Sequence, residues 1–130
     1  MGNTFKKSER LNSKLIIDKL FAGGNSSMAA FPLRIVYMRI PKENDNPPVS
    51  VLISVPKKRF HHAVDRNRLK RLVRESYRLN KHILWNALAD KDYCLAIAFV
   101  CITDKMPSFY QVQKSVNKAL VRISEKTSLS

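Results

Sequence analysis

57-KKRFHHAVDRNRLKRLVRESYR-78 carries nine cations, Lys57, Lys58, Arg59, Arg66, Arg68, Lys70, Arg71, Arg74 and Arg78, against Asp65 and Glu75 alone. Like charges at this density repel. The stretch is therefore either a loose basic tail or one face of a folded element. A helical wheel separates the two. With Arg66 at the origin, Lys70 falls at about 40°, Arg74 at about 80°, Asn67 at about 100°, Arg78 at about 120° and Arg71 at about 140°. Leu72, Ser76, Leu69 and Val73 fall between about 240° and 340°, with Arg68 on the border at about 200°. A disordered tail has no reason to segregate its residues in this way. The pattern predicts a docked helix with a cationic ridge about four turns long.

The helix continues through "RNRLKRLVRESYRLNKHILWNAL". Its core-facing set is Leu69, Leu72, Val73, Ser76, Tyr77, Leu79 or Asn80, Ile83, Leu84 and Leu88. Asp65 is the expected N-cap, since its carboxylate accepts hydrogen bonds from open backbone N–H groups.

Upstream, "SERLNSKLIIDKLFAGG" reads as a short helix. Leu11, Leu15, Leu20 and Phe21 recur at helical spacing, with Ile16 and Ile17 between them. Asn12 or Ser13 caps its start, and Gly23 and Gly24 stop it. "PLRIVYMRI" then alternates as a strand, with Leu33, Ile35, Tyr37 and, at its end, Arg39 on one face and Arg34, Val36, Met38 and Ile40 on the other. "PKENDNPP" is a loop, and "VSVLISVP" is a second strand. The simplest pairing of these two strands is an antiparallel hairpin.

Downstream, "DYCLAIAFVCI" is almost continuously apolar, as expected of a central strand buried on both faces. "TDKMPS" is a loop. "SFYQVQKSVNKALVRISEK" closes the chain as an amphipathic helix, with Phe109, Val112, Val116, Leu120 and Ile123 inward and Lys114, Lys118, Arg122 and Lys126 outward. The expected fold is one α+β domain over residues 1–130, with 1–8 and 126–130 as fraying termini. It is a two-layer sandwich, a small, mainly antiparallel sheet packed with helices in the order α-β-β-α-β-α.

Hydrophobic residues form 45% of the 130, enough for one core, and the formal net charge is +14. Solubility does not need that excess, which points to a polyanionic partner. No segment approaches the roughly 20 apolar residues of a membrane span. The N-terminus lacks the apolar stretch of a secretory signal, and Lys6 stands where a myristoylation motif needs Ser or Thr. Cys94 and Cys101 lack metal or redox spacing and read as buried, reduced thiols, so the expected location is cytoplasmic.

A catalytic site in the protein finds little support. His61, His62 and His82 have neither metal spacing nor clustered carboxylates, and Asp90, Asp92 and Asp104 read as loop-edge caps. There is no Gly-rich phosphate loop for a small-molecule substrate.

The thirteen residues from Ala63 to Glu75 resemble the RNR motif of the bacterial ribonuclease P protein component, A-V-x-R-N-R-x-K-R-hydrophobic-hydrophobic-R-E. Ala63, Val64, Arg66, Asn67, Arg68, Lys70, Arg71, Arg74 and Glu75 fill its fixed places. "ERLNSKLIIDKLFAGG" is similar to the family's first helix, and "ISVPKK" to the strand end before the motif. Two features depart from the pattern. Pro56 replaces a more common Ser, and "KKRFHHAV" has no glycine where the family often does.

The resemblance implies a ribosomal-protein S5 domain 2-like fold with a left-handed β-α-β crossover. It implies a protein subunit of ribonuclease P that joins a catalytic RNA in removing the 5′ leader of precursor tRNA. The chemistry would lie with the RNA and its Mg²⁺. The protein alone would hold no cofactor and no catalytic residue.

Carried over by position, Arg66, Asn67, Arg68, Lys70, Arg71, Arg74 and Arg78 form the RNA-binding helix, with Lys57, Lys58 and Arg59 on its approach. Tyr37, Phe21 and Ile17 would line a cleft for the leader. Independently of the family, an aromatic beside a basic groove suits single-stranded RNA. Core packing explains Phe21 and Ile17 equally well.

Two other classes share the charge. A structural RNA binder such as a ribosomal protein shares the fold class but lacks the motif. A membrane-surface protein needs large aromatics at the rim of the apolar face, and only Trp85, past the ridge, qualifies on this helix.

Overall fold

The computed structural model describes residues 5, 7–23, 25–43 and 46–128. Among these, a short 3₁₀ turn, Lys7–Glu9, precedes α1 (Lys14–Phe21). The strands are β1 (Ser26–Ala30), β2 (Leu33–Pro41), β3 (Val49–Ser54) and β4 (Tyr93–Cys101). The long helix α2 (Ala63–Leu88) joins β3 to β4, and α3 (Phe109–Ser128) follows.

The sheet has the order β1-β2-β4-β3. β1 with β2 and β2 with β4 are antiparallel, while β3 with β4 is parallel. The expected β2–β3 hairpin does not form, because β4 lies between the two strands. Residues Cys94 to Phe99 are all buried, and only an interior position removes both of their faces from water. β1 was not expected. Ser26–Ala30 has little β propensity and is held as an edge strand by its hairpin to β2.

The two faces of the sheet carry separate clusters. Leu33, Ile35, Val51, Ile97 and Phe99 pack with α2 and α3. Val36, Ala96 and Ala98 pack with Leu11 and Leu20 from the α1 side. The sandwich is thus two-layered under α2 and α3, with α1 covering part of the reverse face. Leu15 stays 66% exposed on α1. Ser13 caps α1 by accepting from the Ile16 N–H at 3.4 Å, and Gly23 ends it at φ +97°. Gly24 lies outside the described residues.

α2 buries Leu69, Val73, Ser76, Tyr77, Asn80, Leu84 and Leu88. Of the alternatives Leu79 and Asn80, it is Asn80 that turns inward. It donates to Gln113 Oε1 at 3.0 Å and accepts from Asn117 at 2.9 Å, locking α2 to α3. Each fully buried large apolar side chain contributes about 1.5–3 kcal/mol. Like charges at i,i+4 oppose the helix by only about 0.2–0.5 kcal/mol per pair, so burial outweighs the repulsion along the ridge.

The start of α2 differs from expectation. His62 is the N-cap and makes no side-chain cap bond, while Asp65 sits inside the first turn, where it still complements the helix dipole. Phe109 is 38% exposed rather than inward. α3 runs to Ser128 with Thr127 buried, and Phe5 packs edge-on against Tyr77. Residues 1–4, 6, 129 and 130 lie outside the described residues.

Candidate nucleic-acid interface

The polar residues of the α2 ridge form two rows. Arg66, Lys70, Arg74 and Arg78 are half-buried at the flank, and Asn67, Arg68 and Arg71 are exposed. They are not equally open to a ligand. The Arg78 Nε donates to Glu75 Oε1 at 3.0 Å, and its Nη2 bonds the other carboxylate oxygen. That bond holds the Glu75 carboxyl below its usual range and the Arg78 guanidinium above it.

Arg66 turns back on the chain. Its Nη1 donates to the carbonyls of Phe60 and His61, both at 2.9 Å. It braces the approach segment as well as standing on the ridge. Arg59 likewise pairs with Asp104 at 3.1 Å. Lys57 and Lys58 are exposed in the turn after β3.

The glycine-free approach closes tightly. The N–H groups of Arg59 and Phe60 both reach the Pro56 carbonyl, at 3.1 and 3.3 Å, and the Phe60 side chain is buried. His61 and His62 are exposed.

Lys70, Arg71 and Arg74 have no ion pair among those found between described residues. Burial, with the charges of Arg10 and Arg71, pushes the Arg74 guanidinium below its usual range. Arg10 lies ahead of α1, in a stretch that the sequence reading joined to the first helix and not to the ridge. That segment runs beside β3: Arg10 bridges to Val51, and the Leu11 N–H donates to the Val51 carbonyl at 2.8 Å. Glu9 is buried against Lys81, 3.1 Å from its Nζ. Lys7 and Arg10 then join Lys70 and Arg74 around a cavity of about 320 Å³. "KKSER" showed the charges, but nothing local showed that they meet α2.

The three cleft candidates separate. Ile17 packs with the α1-side cluster, and Phe21, 49% exposed, lines a cavity of about 430 Å³ with Arg34, Val36 and Val100. Tyr37 packs with the opposite cluster, under α2 and α3, and lines a different pocket with Arg39 and Lys126. Strand alternation puts it there: Tyr37 shares its face with Ile35, whereas Val36 and Met38 face α1.

Trp85 is half-buried. Its Nε1 donates to the Tyr77 hydroxyl at 3.1 Å, and Lys81 lies over its ring at 4.6 Å. It is therefore a packing residue rather than an exposed rim aromatic. No helix among the described residues is long and apolar enough to cross a membrane. Both cysteines are free and buried.

The fold and surface together define a class: a small α+β domain with a preformed, acid-poor cationic ridge on one helix, suited to a polyanion. The profile of the Ribonuclease P family matches residues 5–124. A ribonuclease P protein component of Porphyromonas gingivalis is 45% identical over 118 residues, which cover 91% of this chain and 85% of that protein. Another, from Chlorobaculum tepidum, is 36% identical over 125 residues, covering 91% and 81%. The chain belongs to the ribonuclease P protein family.

Solved structures share the fold. The Staphylococcus aureus ribonuclease P protein superposes with a TM-score of 0.66 at 20% identity, covering 92% of this chain and 97% of that one. The Thermotoga maritima protein does so at 0.65 and 22%, covering 88% and 96%. The family provides the protein component of a bacterial tRNA-processing ribonucleoprotein and acts with an RNA subunit.

Proposed function

We propose that the chain binds the catalytic RNA of ribonuclease P and the 5′ leader of precursor tRNA, promoting endonucleolytic removal of the leader. The observation that carries this is the α2 surface. Arg68, Lys70, Arg71 and Arg74 project from a rigid, core-anchored helix without a carboxylate partner among the ion pairs found between described residues. Phosphate oxygens relieve that repulsion, and each neutralised phosphate releases counterions. Arginine adds bidentate grip on phosphate and stacking on bases.

The leader would lie on the α1 side of the sheet. There the exposed Phe21 ring offers a stacking platform and Arg34 a cation beside an apolar wall. Tyr37 packs on the opposite face of the sheet, so this reading leaves it out of that cleft.

The bond cleavage is assigned to the RNA. Mg²⁺ held by the RNA supplies the charge stabilisation and the activated water. The protein's residues bind, orient and neutralise phosphates, which reduces the cation concentration the RNA needs. Cytoplasmic location follows from that partnership.

Reconstitution with the cognate RNA tests this. The protein should lower the Mg²⁺ concentration at half-maximal leader cleavage. An unchanged Mg²⁺ requirement, with the protein shown to be folded and bound, would sink the reading.

A further inference from the structure

We propose that the N-terminal segment, residues 7–11, and α2 together form a pocket for one phosphodiester unit of RNA at the β3 edge of the sheet, sharing no lining residue with the Phe21 cavity. The proposal rests on RNA being the partner. It adds to the RNR helix a second segment from the far end of the chain.

The geometry is that of a built site. Lys7 and Arg10 come from one segment and Lys70 and Arg74 from another, around one cavity of about 320 Å³ whose lining includes no acidic residue among the described residues. That volume falls within the range of small-ligand pockets. Part of the wall is apolar, with Leu52 and Ile53 of β3 beside Phe5. A bare anion needs only the cations, whereas a nucleotide also places a sugar and base against carbon. The Arg10 guanidinium lies 5.8 Å from the centre of the Phe5 ring, so cation and aromatic surface occur together. Burial and then the neighbouring cations disfavour charge on Arg74, and an anion in the pocket would offset the repulsion between the cations.

The segment is also held. The Arg10–Val51 bridge, the 2.8 Å bond from Leu11 and the buried Glu9–Lys81 pair secure it. A buried ion pair adds little net stability, but it fixes position. Here Glu9 lies between Lys7 and Arg10, so anchoring it presets both cations.

Two measurements on the full chain test the proposal. In salt titrations of catalytic-RNA binding, Arg10→Ala should reduce the log–log slope by about 0.7–0.9, the share of one phosphate contact. Arg10→Lys should keep most of the slope, which separates charge from folding. In NMR titrations, uridine 5′-monophosphate should shift the amides of Arg10, Leu11 and Val51 at lower concentration than inorganic phosphate, and uridine should not shift them. An unchanged slope in Arg10→Ala, or nucleotide shifts confined to the exposed face of α2, overturns the pocket. If Arg10→Ala keeps the wild-type slope while the wild type still lowers the Mg²⁺ requirement, the pocket falls and the proposed function stands. If the wild type fails to bind RNA yet the mononucleotide shifts appear at Arg10 and Val51, the nucleotide pocket stands and its RNA role falls.

Discussion

Lys81 shows how a residue can mislead at its own scale. It lies in a helix full of solvent-facing cations, and local periodicity gives it no special place. In the fold it is 4% exposed, with its ammonium 3.1 Å from Glu9 and over the Trp85 ring. Lys81→Ala leaves the Glu9 carboxylate buried without this partner and should cost about 3–5 kcal/mol. The double change Glu9→Leu with Lys81→Met should recover most of that loss. Urea unfolding of the single and double variants checks it, and a single-variant loss below about 1 kcal/mol would mean the pair is solvated, as surface pairs are. Arg66 teaches a related lesson. The motif places it on the ridge, but its bonds to the Phe60 and His61 carbonyls also make it the brace of the approach turn. Asp65 has a capping residue's chemistry, yet the helix begins two residues earlier, at Ala63.

At the scale of elements, α2 was the most legible part of the chain. Its two stripes are written at 3.6-residue spacing, and Leu69, Val73, Tyr77, Leu84 and Leu88 are buried as that spacing predicts. Arg71 is the cleanest probe of the outer stripe, being exposed and without an ion pair among those found between described residues. Arg71→Ala should leave thermal unfolding within the range of ordinary surface substitutions, about 0.5 kcal/mol. It should also flatten the salt dependence of RNA binding by roughly one log–log unit. An unchanged slope would show that Arg71 faces solvent in the complex. β1 was the least legible element. Its Ser-Ser-Met-Ala-Ala sequence carries no strand signal, and its register comes from β2. β4 was legible as a central strand, but its place between β2 and β3 displaced the hairpin that proximity alone suggests.

At the scale of the whole molecule, a formal charge of +14 on 130 residues sets core burial against self-repulsion. A polyanion that binds only the folded form should therefore stabilise it. At a free concentration about 100 times Kd, a short RNA should add about 2.7 kcal/mol, raising Tm on the order of 10 °C for a domain of this size. Calorimetry with and without the RNA measures this, and an unmoved Tm at saturation would contradict binding coupled to the folded state.

The sequence by itself determined the amphipathic α2, the apolar β4, the α3 stripe, the excess charge and the motif that points to ribonuclease P. All of these are local patterns or sums over composition. Tertiary structure alone decided the strand order, the side of the sheet on which Tyr37 lies relative to Phe21, and the meeting of Lys7 and Arg10 with Lys70 and Arg74. Each of these depends on contacts between residues far apart in the chain, and periodicity along a single element carries no record of its neighbour in space.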